Sequence, residues 1–156
     1  MLITTGKNPS QECRALARAL FCVLPHSVLE GRGKRSLSSL ITKARKKRMG
    51  SICAIYREEG GQHSLSSLSL SETGYDWLSP KILVEKITLH SPLPKKSEGQ
   101  SSSVKITGAR AKEVRGLFGA EPTGDEPESA ISAGAKSISL SFRKKKLITL
   151  GVSYEE

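Results

Sequence analysis

The segment Ser51-Ile-Cys-Ala-Ile-Tyr-Arg57 is apolar at consecutive positions. A strand with one wet face alternates, whereas one that is apolar on both sides must be covered on both. That places this segment in the interior of a sheet with other elements around it. Two helices are predicted ahead of it. Over Gln11–Leu24, the residues Cys13, Leu16, Ala17, Leu20 and Leu24 fall on one stripe, and Gln11, Arg14 and Arg18 fall opposite. Ser10 is suited to cap the start of this helix, and Pro25 stops it. Ser36 is placed to cap a second helix, with Leu37, Leu40, Ile41 and Ala44 inward and Gly50 as its end. With short strands at Leu2–Thr5 and His26–Glu30, the opening third reads β-α-β-α-β, the pattern of helices packed on a partly parallel sheet.

The remainder is richer in strands. His63–Ser71 reads as an outer strand with Leu68 and Leu70 inward, followed by a loop carrying Tyr75 and Trp77, with Trp77 as a core plug. A strand is predicted near Ile82–Leu89, and residues 92–103 form a connection. Val104–Thr107 reads as a strand, Ala109–Phe118 as a short helix, and residues 119–129 as an acidic loop. Ile138, Leu140 and Phe142 alternate with Ser137, Ser139, Ser141 and Arg143, a period of two with one wet face. Lys144–Lys146 then form a basic hairpin turn before a final strand over Leu147–Val152. The length of 156 residues suits one domain, or two small halves sharing a core, divided at about 1–62 and 63–156.

Charge narrows the function. The chain carries +10 overall, and it is uneven: residues 1–62 hold twelve basic and four acidic side chains, residues 63–156 thirteen and eleven. A concentrated positive field captures polyanions, and each neutralised phosphate releases counterions. Three basic elements stand out. Lys7 precedes the first helix, which carries Arg14 and Arg18 on its polar side. Gly31-Arg32-Gly33-Lys34-Arg35 leads into the second helix, where glycines let the backbone approach a phosphate and the cations can bind its oxygens. Lys43, Arg45, Lys46, Lys47 and Arg48 crowd the end of that helix, where cations also suit its dipole.

Other chemistries lack their residues. Gly33-Lys34 is not a nucleotide-binding P-loop: Val28 stands where its first glycine would be, and Ser36 is one position late. His26, His63 and His90 are isolated, so no catalytic set and no metal site is expected, and no cofactor is called for. The three cysteines have no CxxC spacing. Cys13 and Cys22, nine residues apart at about 100° per residue, lie on opposite faces of the first helix, and all three are expected to be small buried apolar groups. No apolar run approaches the ~20 residues of a membrane-spanning helix, and the opening Met-Leu-Ile-Thr-Thr is not expected to be a secretory signal. With seven aromatic residues in the chain, phosphate and shape recognition are expected to outweigh base stacking.

The order Thr4-Thr5-Gly6-Lys7-Asn8-Pro9-Ser10, then Arg14, Leu24-Pro25 and Arg32-Gly33-Lys34-Arg35-Ser36-Leu37 resembles the opening of a Brix domain. That family shows a Thr-Thr/Ser-Arg-x-Pro-Ser start, an arginine in the first helix and an Arg-Gly-Lys-x-Ser-Leu element before the second. Gly6-Lys7 replaces the usual Ser-Arg, and Glu59-Gly60-Gly61-Gln62 stands where Gly-Asn-Pro is expected. The length is similar to that of the archaeal, stand-alone members. The resemblance implies a single Brix domain over 1–156, an α/β fold of two similar halves like the anticodon-binding domain of class II aminoacyl-tRNA synthetases. It implies a non-enzymatic ribosome-biogenesis factor that binds ribosomal RNA or pre-rRNA, alongside other assembly factors. Its location would be the cytoplasm of an archaeal cell, or the nucleolus of a eukaryotic one. The expected RNA-binding residues are Lys7, Arg14, Arg18, Arg32, Lys34, Arg35, Lys43, Arg45, Lys46, Lys47 and Arg48. The alternative is a protein-interaction scaffold that docks partners on the acidic 119–129 segment and the serine-faced strands.

Overall fold

The structure is a computed structural model that describes residues 1–120 and 126–156. The first third follows the predicted order: β1 (Leu2–Thr5), α1 (Gln11–Val23), β2 (Val28–Leu29), α2 (Leu37–Lys46) and β3 (Ser51–Arg57). Both helices start where a serine can accept from an unpaired amide. Ser10 Oγ accepts from the Cys13 N–H and Ser36 Oγ from the Ser39 N–H, each at 3.1 Å. The chain steps from β1 out to β2, then back across β1 to β3, all three parallel. Right-handed crossovers in opposite directions put α1 and α2 on opposite faces of the sheet. Hence both faces of β1 and β3 are buried: Ile3, Cys53 and Ile55 meet α1, while Leu2 and Ile52 meet Leu40, Ile41 and Ala44 of α2.

The sheet continues through β4 (His63–Leu70), β5 (Tyr75–Trp77), β6 (Lys81–Leu89), β7 (Val104–Thr107), β8 (Ser129–Ala133), β9 (Ser137–Phe142) and β10 (Lys145–Glu155), with α3 (Ala111–Phe118) between β7 and β8. Its order is β2-β1-β3-β4-β6-β10-β9-β8-β7, with β5 also on β4. α1 packs against β1, β2 and β3 near one end of this order and against β8, β9 and β10 near the other. A sheet whose two ends touch one helix must curl around it. This accounts for a burial pattern wider than the predicted stripe: Ala19, Cys22 and Val23 are buried together with Cys13, Leu16, Ala17 and Leu20. All three cysteines are buried and free, and burial pushes the Cys53 thiol up to about 12.

The second half also closes the end of α1. The last carbonyls of a helix have no intrahelical donor. Here the Gln100 side-chain amide lies 2.9 Å from the carbonyls of Phe21 and Leu24. The Ser101 N–H donates to Cys22 O, and Ser129 Oγ donates to Val23 O at 2.6 Å. Four successive carbonyls are thus satisfied by residues more than seventy positions away in sequence.

Several expectations are corrected. β4 is an interior strand, not an outer one, because β3 pairs along one edge and β6 and β5 divide the other. Tyr75–Trp77 is a strand rather than a loop, and Trp77 is half exposed rather than a core plug. Ser129–Ala133 is a strand, unforeseen because Ile131 is its sole large side chain. It takes over the end of the 119–129 segment assigned to an acidic loop, of which residues 121–125 lie outside the described residues. The β9–β10 turn is Arg143-Lys144, both at positive φ, so the basic turn sits one residue earlier than predicted. Finally, α2 is ended by Arg48 and not Gly50. Arg48 has φ 55°, with the Met49 N–H donating to Ala44 O and the Arg48 N–H to Arg45 O. These bonds close the left-handed helix stop that normally uses glycine, and a side chain there costs about 1 kcal/mol.

Candidate functional site

Arg14 and Arg18 are four residues apart on α1, so they project from the same helical face. The loop after β2 runs past that face. Together they line an open groove of about 630 Å³, with Arg14 and Arg18 on one wall and Gly31-Arg32-Gly33-Lys34 on the other. Asn8 and Pro9, from the turn between β1 and α1, complete its edge. Asn8 sits at φ 51°, which asparagine tolerates better than most residues, and Lys7 stands exposed beside it. The groove therefore joins the two loop-to-helix elements that the sequence singled out separately.

The cations in it differ in how far they are committed. Arg14 is exposed and has no hydrogen-bond or carboxylate partner among the described residues. Arg18 is held by Nη2 donating to Pro94 O at 2.9 Å. Arg32 Nε donates to Arg35 O at 2.7 Å, while its Nη1 is shielded from solvent with no partner among the described residues. Arg14, exposed in the groove with its guanidinium uncommitted among the described residues, is the arginine suited to an oxyanion, which can take two of its donors at once. Lys34 is exposed at the groove mouth.

Three of the predicted cations turn to one carboxylate, Glu30, which itself lines the groove. Arg35 lies 2.6 Å from Glu30, Lys43 bonds to the same oxygen, and Lys47 approaches the other oxygen at 3.8 Å. Lys43 and Lys47 share a face of α2, so the β2–α2 connection brings both to Glu30. The Glu30 side chain is 15% exposed. The hydrogen bonds from Lys43 and then from Arg35 hold its carboxyl below the usual carboxylate range, against the opposing effect of burial. Such a depressed group favours the folded state above the ordinary carboxylate range, and that contribution is lost as acid protonates it. Arg45 points away from the groove. Its Nε donates to Ser71 O at 3.2 Å and its Nη2 to Gly74 O at 2.9 Å, tying α2 to the β4–β5 turn. Lys46 and Arg48 are exposed at the end of α2.

The structure thus gathers Arg14, Arg18, Arg32 and Lys34 in one groove with Lys7 at its edge. It groups Arg35, Lys43 and Lys47 on Glu30, turns Arg45 to the β4–β5 turn, and leaves Lys46 and Arg48 exposed at the end of α2. Glu30 is the participant that the sequence reading missed; its spacing to Lys43 is thirteen residues, beyond any local pairing rule. Replacing Glu30 by Gln should release the three cations and tighten polyanion binding by about 3- to 10-fold. Fluorescence anisotropy with a labelled oligonucleotide checks the affinity, and an acid titration of stability should lose its Glu30-dependent part.

Among the described residues no three His, Cys, Asp or Glu side chains gather as metal ligands, and no helix is long and apolar enough to cross a membrane. His63 is buried, with Nε2 3.1 Å from Ser10 Oγ and Nδ1 3.9 Å from Glu12, a tie between the start of α1 and β4.

The fold and groove define a small α/β domain, with one curled sheet around its first helix and a cationic cleft at that helix's exposed side. No protein-family model and no curated protein sequence matches the chain. Among solved structures, it is similar to the crystal structure of a probable ribosomal biogenesis protein from Aeropyrum pernix K1. The TM-score is 0.76 and the identity 17%, over 97% of this chain and 94% of that one. That likeness establishes the fold.

Proposed function

We propose that this chain is a ribosome-biogenesis factor of the Brix type, which binds ribosomal RNA or pre-rRNA through the groove beside α1 and acts without catalysis. The observation that carries the reading is the convergence of Arg14, Arg18, Arg32 and Lys34 on one groove. Arg14, Arg32 and Lys34 belong to the sequence elements that resemble the opening of a Brix domain. The neighbour of the same fold, itself a probable ribosomal biogenesis protein, supports the assignment to ribosome assembly. Phosphate contacts supply the affinity in this reading, and base identity contributes little.

Salt dependence tests it. Four phosphate contacts predict a log–log slope near −3, so affinity for an rRNA fragment should fall roughly 50- to 150-fold between about 50 and about 200 mM salt. A flat response at intact fold would sink the proposal.

One observation favours a second reading, a protein-docking scaffold. α1 and α3 pack on one face of the second-half sheet. The other face carries a row of hydroxyls, Thr88, Thr149, Ser139, Ser132 and Thr107, aligned across five strands. Under that reading, binding of a partner protein survives reversal of Arg32, Lys34 and Arg35 to Glu; under the RNA reading, binding of rRNA does not.

A further inference from the structure

Tyr75 and Trp77 are 46% and 49% exposed, and they stand on the same side of β5. Cross-strand register puts Trp77 opposite Leu68 and Tyr75 opposite Leu70. Leu68 is packed beneath α2, so both rings lie on the α2 face of the sheet, beside the helix rather than under it. Their centroids are 6.4 Å apart at 89°, leaving one ring edge-on to the other. Two large aromatic side chains half open to solvent on a short strand contribute little to the core, and about half of each stays free to meet a ligand.

Their surroundings are cationic. Arg45 is tied by its guanidinium to the carbonyls of Ser71 and Gly74, the latter adjacent to Tyr75. Lys46 and Arg48 follow on the same exposed helix end, and neither has a carboxylate partner among the described residues. Glu72 lies in the turn, and Asp76 alternates to the opposite side of β5. The helix end that carries Lys43 and Lys47 toward the groove therefore carries Arg45 toward the rings. Rings with Arg45 beside them and further cations on the same helix end suit one class of ligand, an unpaired stretch of nucleic acid, whose bases stack while its phosphates meet the cations. A duplex keeps its bases stacked on each other and offers them no free face.

The geometry points to Tyr75 and Trp77 as a stacking site for unpaired RNA nucleotides, on a path that leaves the α1 groove and crosses the end of α2. This deepens the RNA-binding reading and rests on it. It also revises the expectation that stacking contributes little.

Trp77 is the single tryptophan of the chain, so its fluorescence reports this site alone. The full chain is titrated with a single-stranded oligouridylate and with a blunt RNA duplex of equal length, following anisotropy of a labelled RNA and tryptophan emission together. The expected result is that both RNAs bind and only the single strand quenches Trp77. Tyr75→Ala and Trp77→Ala should each weaken single-strand binding by about 5- to 150-fold and leave duplex binding unchanged. Trp77→Phe, which keeps a ring, should recover most of the loss. Both positions are solvent-facing, and a melting curve for each variant shows that it folds. Single-strand binding without quenching, or an equal loss for strand and duplex, overturns the stacking site while the groove reading stands. Such a result would be the one expected of an aromatic pair that faces a protein. If neither RNA binds, both readings fall.

Discussion

Replacing Arg14 and Arg18 together by Glu is expected to lower affinity for rRNA on the order of 100-fold, and to reduce the salt slope by about 2. The two side chains project from one face of α1 into the groove, so reversal removes two phosphate partners and plants two phosphate-repelling charges opposite Arg32 and Lys34. The fold should tolerate it. Arg14 is exposed, and Arg18 contributes one hydrogen bond to Pro94 O from a half-buried position, a loss of about 1 kcal/mol. Anisotropy across a salt series gives affinity and slope from the same experiment. Reversal of Lys144 and Lys145 at the exposed β9–β10 hairpin is the matching control for net charge. If that pair lowers affinity as much as the helix pair does, the protein binds RNA by overall charge and the groove has no special role.

What could be read from the sequence was local. Ser10 and Ser36 foretold both helix starts because capping is an exchange between residues three apart. Ser51–Arg57 foretold an interior strand because its continuous apolarity admits few other placements. The common polar side of Arg14 and Arg18 was legible because helix geometry fixes it, though the groove they line was not.

What could not be read depended on partners remote in sequence. Ser129–Ala133 has little strand signal of its own, and it is a strand because β7 and β9 pair on its two sides. Leu68 and Leu70 showed which way β4 faces, but nothing local told that β6 and β5 would share its outer edge. The same limit applied to charge. Lys43 and Lys47 look like free cations on an exposed helix end, and only the crossover from β2 brings Glu30 against them. Trp77 shows the converse, since large aromatic residues default to the interior unless an adjoining surface gives them a task.

Gly108→Ala is expected to destabilise the chain by about 4 kcal/mol, a large part of the stability of a domain this size. Gly108 links β7 to α3 at φ 106°, a conformation that side chains rarely adopt. A Cβ there would lie 2.3 Å from the carbonyl oxygen of Ala133 and 2.8 Å from its carbon. That neighbour is backbone in β8, and its oxygen also accepts from the Arg110 N–H at the start of α3. It cannot move aside without breaking the junction. Because β8 packs against α1 and holds its end through Ser129, the loss should lower the stability of the fold as a whole rather than of one edge. Urea unfolding should show the midpoint falling sharply, with RNA affinity in the folded fraction nearly unchanged. Gly116→Ala in α3, where an added Cβ meets nothing within 4 Å, should instead be neutral or mildly stabilising. If Gly108→Ala proves as mild as Gly116→Ala, the tight approach between the β7–α3 turn and β8 is not what holds the two ends of the sheet around α1.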